Sequence, residues 1–277
     1  MSYSPLPNPF APSPPSEGQG GGRGGGGLFA GGGSWEIPGL RVAGAAPVFV
    51  HWSVIILFVF FGLMAWRASS GFDSLTQALV TVLSPLFFLL SILGHELGHA
   101  YAYHLLYNCW VTGIFLYAMG GFTAAQVDVS QMETRKSMML VVAIAGPLVN
   151  GILAGILLGA YYGLGAAQSV TAPPVVMMLL RFHGWMQVFL FVYNMLPGVP
   201  LDGISALIGA LRYCMTDQKA RMTGYIVGVI VVLAAVVLCF IFFSLFAAIF
   251  LVMTLFYTGF ALYELFQRPQ SVTNPTY

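Results

Sequence analysis

Long apolar runs dominate the chain, and their lengths predict helices that cross a membrane. A transmembrane helix needs about 20 consecutive apolar residues. Runs of this kind predict spans at about 48–66, 75–104, 138–164 and 175–196, and the stretch 222–264 is long enough for two more. The pattern therefore predicts an all-α polytopic membrane protein with about six transmembrane helices.

The stretch 109–126 departs from this helical pattern. It is apolar, but Gly113 and the Gly120-Gly121 pair interrupt it, and β-branched and aromatic residues flank those glycines. Such a combination favours a short re-entrant segment or β-hairpin over a helix. Because non-helical backbone at membrane depth needs hydrogen-bond partners from protein or from a water-filled cavity, we expect this segment to line a cavity.

The two ends of the chain differ in composition from its centre. Half of the 16 prolines lie in the first 47 residues, and the stretch 18–33 is rich in glycine. Segments of this kind cannot bury enough apolar surface to offset the entropy lost on ordering. We therefore predict a disordered cytosolic tail at 1–46, a transmembrane domain at 47–267 and a short cytosolic tail at 268–277.

Composition and charge point to a lipid bilayer and away from nucleic acid. Hydrophobic residues make up 58% of the chain, charged residues make up 7%, and the formal net charge is +1. Eight of the ten Lys and Arg residues fall on the side that both termini share in a six-span arrangement, so the positive-inside rule predicts cytosolic termini. The three cysteines form no C-x-x-C pair and are expected to be reduced.

The predicted second span contains the sequence His95-Glu96-Leu-Gly-His99. Residues four apart lie on one face of a helix, so both imidazoles can reach one metal ion. Zinc suits two neutral imidazoles, and Glu96 would be the general base that removes a proton from water. Because an ionisable residue at bilayer depth costs about 3 kcal/mol or more, a mere packing role is the weaker explanation.

A third ligand is expected from the segment that ends the fourth span, Asn194-Met-Leu-Pro-Gly-Val-Pro-Leu-Asp202-Gly203. Its prolines and glycines interrupt the helix and hold Asp202 on a bent backbone, where a lone carboxylate is costly unless it binds a cation. The other candidate aspartates fall in predicted loops. Asn150, at the middle of the third span, fits helix-to-helix hydrogen bonding as well as it fits catalysis.

These motifs together resemble the site-2 protease family of intramembrane zinc metalloproteases. The match rests on the His95 to His99 motif, Gly120-Gly121, Gly146-Pro147 with Asn150, and Asn194-x-x-Pro197 leading to Asp202-Gly203. The resemblance implies one zinc ion per chain held by His95, His99 and Asp202, with Glu96 as the base. It also implies that Asn150 and Asn194 lie near the scissile carbonyl, and that the substrate is a transmembrane protein.

Within this family we expect a compact form, because the charged loop at 128–136 is too short to hold an inserted PDZ domain and no nucleotide-sensing domain is expected at the C-terminus. Two other function classes remain open from the residues alone: a membrane transporter that passes zinc, and a catalytically inactive relative that acts as a scaffold. A rhomboid-type serine protease would need a nucleophile elbow that the surroundings of Ser205 do not supply.

Overall fold

The computed structural model describes residues 33–43, 46–118, 120–127, 137–167, 172–242 and 245–267. These residues form four strands, seven α-helices and one π-helical turn, in the order β1 (Ser34–Val42), β2 (Ala46–His51), α1 (Val54–Ala68), α2 (Ser74–Tyr101), π-turn (Ala102–Leu106), β3 (Trp110–Tyr117), β4 (Gly120–Gln126), α3 (Ser137–Ala166), α4 (Pro174–Asn194), α5 (Asp202–Leu211), α6 (Asp217–Phe242) and α7 (Leu245–Gln267).

The chain divides into two compact units. The first unit comprises residues up to 131 together with 148–188, and the second comprises 132–147 together with 189–277. Helices α3 and α4 each pass from one unit to the other. In α3 the division follows Pro147, a residue that removes one hydrogen bond from a helix interior.

The first unit contains a four-stranded sheet in the order β1-β2-β3-β4. Strands β2 and β3 pair in parallel, while β1–β2 and β3–β4 pair antiparallel. A parallel pair needs a long crossover connection, which here consists of α1 and α2. The sheet buries side chains from its two central strands, namely Val48, Val111, Ile114 and Leu116.

Helix α2 is the longest apolar element of the first unit, and it carries the histidine motif. Asp73 caps its N-terminus by accepting hydrogen bonds from the amides of Leu75 and Thr76. Bonds from Thr76 also hold the pKa of the Asp73 carboxyl below its usual value. The helix packs against α1 and against β3 and β4, so the hairpin lies beside the motif.

The second unit is built around α5, α6 and α7. Ile204 and Ile208 of α5 pack with Ala220 and Tyr225 of α6 in one buried cluster. A second cluster joins Val232 and Val236 to Leu251, among other residues. At the turn between α5 and α6, the carboxylate of Asp217 lies 3.0 Å from Arg212 and 2.7 Å from Arg221.

The predicted β-hairpin is confirmed, since Trp110–Tyr117 and Gly120–Gln126 form an antiparallel pair. The prediction of an all-α fold is corrected, because these strands belong to a four-stranded sheet. Two other boundaries are corrected. The predicted tail at 1–46 includes Ser34–Val42, which is strand β1, while residues 1–32 lie outside the described part of the chain. The predicted first span at 48–66 begins as strand β2 and becomes helical only at Val54.

Four helical segments among the described residues are long and apolar enough to cross a membrane: Ser74–Leu106, Ser137–Ala166, Pro174–Asn194 and Asp217–Cys239. Helix α1 has 15 residues and is therefore only about 22 Å long, which is less than the hydrocarbon thickness of a bilayer. The structure thus supports a polytopic membrane protein, while six crossings remain a prediction. The three cysteines are free, as expected.

Candidate metal centre

His95 and His99 lie one turn apart on α2 and face the same direction. Both are buried, and their Nε2 atoms are 3.1 Å apart. Two nitrogens bound to one tetrahedral zinc at ordinary bond lengths lie about 3.3 Å apart, so the spacing fits two ligands of one ion. This geometry agrees with the pairing predicted from the sequence motif.

The other ring nitrogen of His95 is engaged by Asn150. His95 Nδ1 donates to Asn150 Oδ1 over 2.6 Å, because an amide oxygen can only accept. A proton on Nδ1 leaves the lone pair on Nε2, which is the nitrogen that faces His99. Metal-binding histidines almost always donate their second ring N–H in this way, so the residues present fit zinc.

Glu96 is held by the hairpin strand β4. The hydroxyl of Thr123 lies 2.9 Å from Glu96 Oε2 and 3.0 Å from the Glu96 main-chain oxygen, and its single proton can be donated to either acceptor. A Cβ atom on Gly121 would lie only 2.7 Å from Glu96 Cγ and 2.9 Å from Oε1. The carboxylate therefore occupies space that only a glycine at position 121 leaves open.

Asp202 and Asn194 belong to the second unit. Asp202 is the first residue of α5, and a Cβ atom on the following Gly203 would collide with the main-chain carbonyls of Met195 and Leu196. The bend that presents Asp202 thus requires this glycine. Asn194 lies at the end of α4, where its amide donates to the Leu190 carbonyl over 3.0 Å. Their roles as zinc ligand and carbonyl donor remain predictions.

The structure brings together four of the sequence-predicted residues in the first unit: His95, Glu96, His99 and Asn150. Sequence reasoning assigned no role to Thr123 or to Gln187, which accepts a 2.7 Å hydrogen bond from the Asn150 amide. Gln187 lies within an apolar helix, and a buried polar residue there is costly. That signal was available in the sequence. Thr123 and Glu96 are 27 positions apart, so no local sequence pattern predicts their contact.

Comparisons with known proteins place these residues in the context of peptidases. Residues 63–161 match the family model of Peptidase family M48, and this stretch contains His95, Glu96, His99 and Asn150. The match covers about a third of the chain, from α1 to α3.

Similar individual proteins include Rip3 of Mycobacterium tuberculosis, described as a zinc metalloprotease and found in two strains. The identity is 30% over 176 residues, which cover 60% of this chain and 41% of the relative. The chain thus spans about two fifths of the length of these relatives. A solved structure, the site-2 protease from Methanocaldococcus jannaschii, superposes with a TM-score of 0.48 at 22% identity, covering 87% of this chain and 98% of the other. The sequence matches are therefore to a peptidase family and to proteins that are themselves named as zinc metalloproteases.

Proposed function

We propose that this chain is an intramembrane zinc metalloprotease that hydrolyses a peptide bond within or near a transmembrane segment of a membrane protein. One observation carries the proposal. Two histidines with converging Nε2 atoms and a glutamate between them in sequence lie buried on a helix long and apolar enough to cross a bilayer. Such a set of ionisable groups at membrane depth indicates function rather than packing.

The proposed ligands are His95 and His99 of the first unit and Asp202 of the second. Zinc held by them would act as a Lewis acid and lower the pKa of a bound water to about 7. Support for Asp202 comes from its place in the Asn194 to Gly203 motif and from the strict requirement for glycine after it.

Glu96 would act as the general base. Its carboxylate would accept a proton from the attacking water and return it to the leaving amine. Thr123 holds Oε2 by a hydrogen bond, and the absence of a side chain on Gly121 leaves room beside Oε1. The hydrogen bond and the space beside Gly121 together position the carboxylate against strand β4. Asn194 would donate a hydrogen bond to the developing oxyanion.

The hairpin would bind the substrate as an extended chain. A transmembrane helix hides its carbonyls in internal hydrogen bonds, so the scissile region must unwind before hydrolysis. Among the described residues, β4 is an edge strand of the sheet, and an unwound segment could add to it by main-chain hydrogen bonds. Since Gly121 and Thr123 of this strand contact Glu96, the added chain would lie near the base.

Replacement of Glu96 by Gln tests the activity. Membrane proteins from cells with the wild type and with Glu96→Gln would be compared for fragments that end inside a membrane span. We expect such fragments only with the wild type, since loss of a general base lowers rates by about 10²–10⁴-fold. Zinc content, measured by elemental analysis of the purified proteins, should be equal because Glu96 is not a ligand.

The control is Glu264→Gln, the same substitution at an exposed glutamate of α7, which should leave the fragments unchanged. Cleavage by Glu96→Gln at the wild-type rate would refute the assignment of the base. Zinc transport into liposomes without any proteolysis would favour a transporter. A protein that shows neither proteolysis nor zinc transport would favour a scaffold.

A further inference from the structure

A chain of buried hydrogen bonds connects His95 to the backbone of its own helix through two other helices. His95 Nδ1 and Asn150 Oδ1 are 2.6 Å apart, and Asn150 Nδ2 and Gln187 Oε1 are 2.7 Å apart. Gln187 Nε2 lies 2.5 Å from Ser91 Oγ, which in turn lies 2.8 Å from the carbonyl oxygen of Phe87. All four side chains are buried.

The last member of this chain fixes the direction of every bond in it. A backbone carbonyl can only accept, so Ser91 must donate its single hydroxyl proton to the carbonyl oxygen of Phe87. The oxygen of Ser91 then accepts from the amide nitrogen of Gln187, which turns the Gln187 oxygen towards Asn150.

The same logic extends to the histidine. Because Gln187 presents an oxygen, Asn150 must present its amide nitrogen to Gln187 and its oxygen to His95. The ring must then carry its proton on Nδ1. The reverse arrangement forms one hydrogen bond fewer and leaves two oxygens facing each other at Ser91 and Phe87, without a hydrogen between them.

We propose that Ser91, Gln187 and Asn150 are positioning residues that select the Nδ1-protonated tautomer of His95 and so keep its Nε2 available for metal. This inference deepens the proposed function, because it rests on a metal site at His95. It assigns to Gln187, which is hydrogen-bonded to Asn150, control over which ring nitrogen is free.

The substitution Gln187→Leu tests the proposal. Without an acceptor at position 187, the Asn150 amide can turn over and offer its nitrogen to the ring, which favours the opposite tautomer. In metal-free protein labelled with ¹⁵N-histidine, the wild type should show a protonated Nδ1 and an unprotonated Nε2 for neutral His95. Gln187→Leu should shift the population towards the Nε2-protonated form and weaken zinc binding by about 10- to 100-fold.

A second substitution, Asn150→Asp, separates this effect from lost packing. A carboxylate at position 150 has no donor, so it can only accept from Nδ1 of His95. The double variant Gln187→Leu/Asn150→Asp should therefore recover the wild-type tautomer and most of the zinc affinity. A packing defect caused by the leucine side chain would not be rescued in this way. The His95 signals are assigned by their loss in His95→Gln.

A milder pair of variants keeps the test valid if Gln187→Leu does not fold. Ser91→Ala removes the anchor and should shift the tautomer in the same direction. Thr81→Val removes an equivalent hydroxyl, which donates to the Gln77 carbonyl over 2.8 Å on the same helix, and should change neither measurement.

The proposal is overturned if wild-type His95 carries its proton on Nε2, or if both Gln187→Leu and Ser91→Ala leave the tautomer and the zinc affinity unchanged. Neither result depends on proteolysis. Protein that shows the predicted tautomer shifts but has no Glu96-dependent cleavage would refute the proposed function alone.

Discussion

Individual contacts around Glu96 show how one side chain in the motif depends on a strand far away in sequence. The spacing of His95, Glu96 and His99 is a local property of a helix, and sequence analysis predicts it directly. The sequence left the role of Asn150 open between packing and catalysis. In the structure its amide oxygen lies 2.6 Å from Nδ1 of His95. The contact of Thr123 with Glu96 could not be predicted, because the sequence around a strand hydroxyl does not indicate which distant residue it will bind.

Gly121→Ala should reduce activity without loss of metal. The added methyl would lie 2.7 Å from Glu96 Cγ, so the carboxylate or the strand must move. A displacement of about 1 Å in a catalytic group can cost about 10²-fold in rate. We expect a loss of this order in the cleavage rate, with zinc content unchanged in elemental analysis.

Gly159→Ala is the matched control for that substitution. It makes the same change in α3, where nothing lies within 4 Å of the added Cβ, and should leave the rate unaltered. A Gly121→Ala protein with full activity would show that Glu96 tolerates displacement and that the tight contact has no part in catalysis.

Secondary-structure elements were predictable where the signal is local, and were missed where it is not. Helices α2, α3 and α4 follow from apolar length, and the hairpin follows from glycines among β-branched and aromatic residues. Strand β2 was assigned to a helix because residues 47–50 continue into the apolar run of α1. Of its two strand partners, β3 pairs with residues 66 positions away, as Val48 does with Ile114, and parallel pairing at that distance has no local pattern.

The bend before α5 gives an element-scale prediction for Gly203. A methyl group there would collide with the carbonyls of Met195 and Leu196, and main-chain atoms cannot move as a side chain can. Overpacking in a well-packed site typically costs about 1–3 kcal/mol. Gly203→Ala should therefore lower the thermal unfolding temperature in detergent and, if Asp202 is a ligand, also lower the zinc content.

Gly259→Ala in α7 of the same unit is the comparison, since no atom lies within 4 Å of its added Cβ. It should be neutral or slightly stabilising, because alanine is the better helix former. An unchanged unfolding temperature for Gly203→Ala would mean that the segment between α4 and α5 can shift freely. Asp202 would then lack the rigid support that its proposed role requires.

At the scale of the whole molecule, the sequence prediction and the structure differ in the number of helices long and apolar enough to cross a membrane. Hydropathy reports length and composition, and by those measures four helical segments of the described chain qualify. Two of the six predicted spans are not among these four: α1, whose first predicted residues form strand β2, and α7, in which the apolar helix Leu251–Phe266 is shorter than a span. A helix about 22 Å long can still cross where the bilayer thins or flanking side chains reach the interface.

Three markers decide whether α1 crosses. An N-terminal epitope precedes α1, a cysteine introduced by Ser70→Cys follows it in an exposed turn, and the exposed native Cys214 lies in the turn after α5. Cys109 and Cys239 are replaced by alanine. An impermeant maleimide is then applied to vesicles that are sealed with the cytosolic side inside.

The positive-inside rule predicts labelling of Ser70→Cys in sealed vesicles, and labelling of Cys214 only after permeabilisation. Protease should likewise reach the epitope only after permeabilisation, because a crossing of α1 separates it from residue 70. If protease removes the epitope from sealed vesicles while Cys214 stays protected, α1 does not cross and the N-terminus lies opposite to the cytosol. If instead Cys214 is labelled in sealed vesicles, the orientation inferred from the Lys and Arg distribution is wrong.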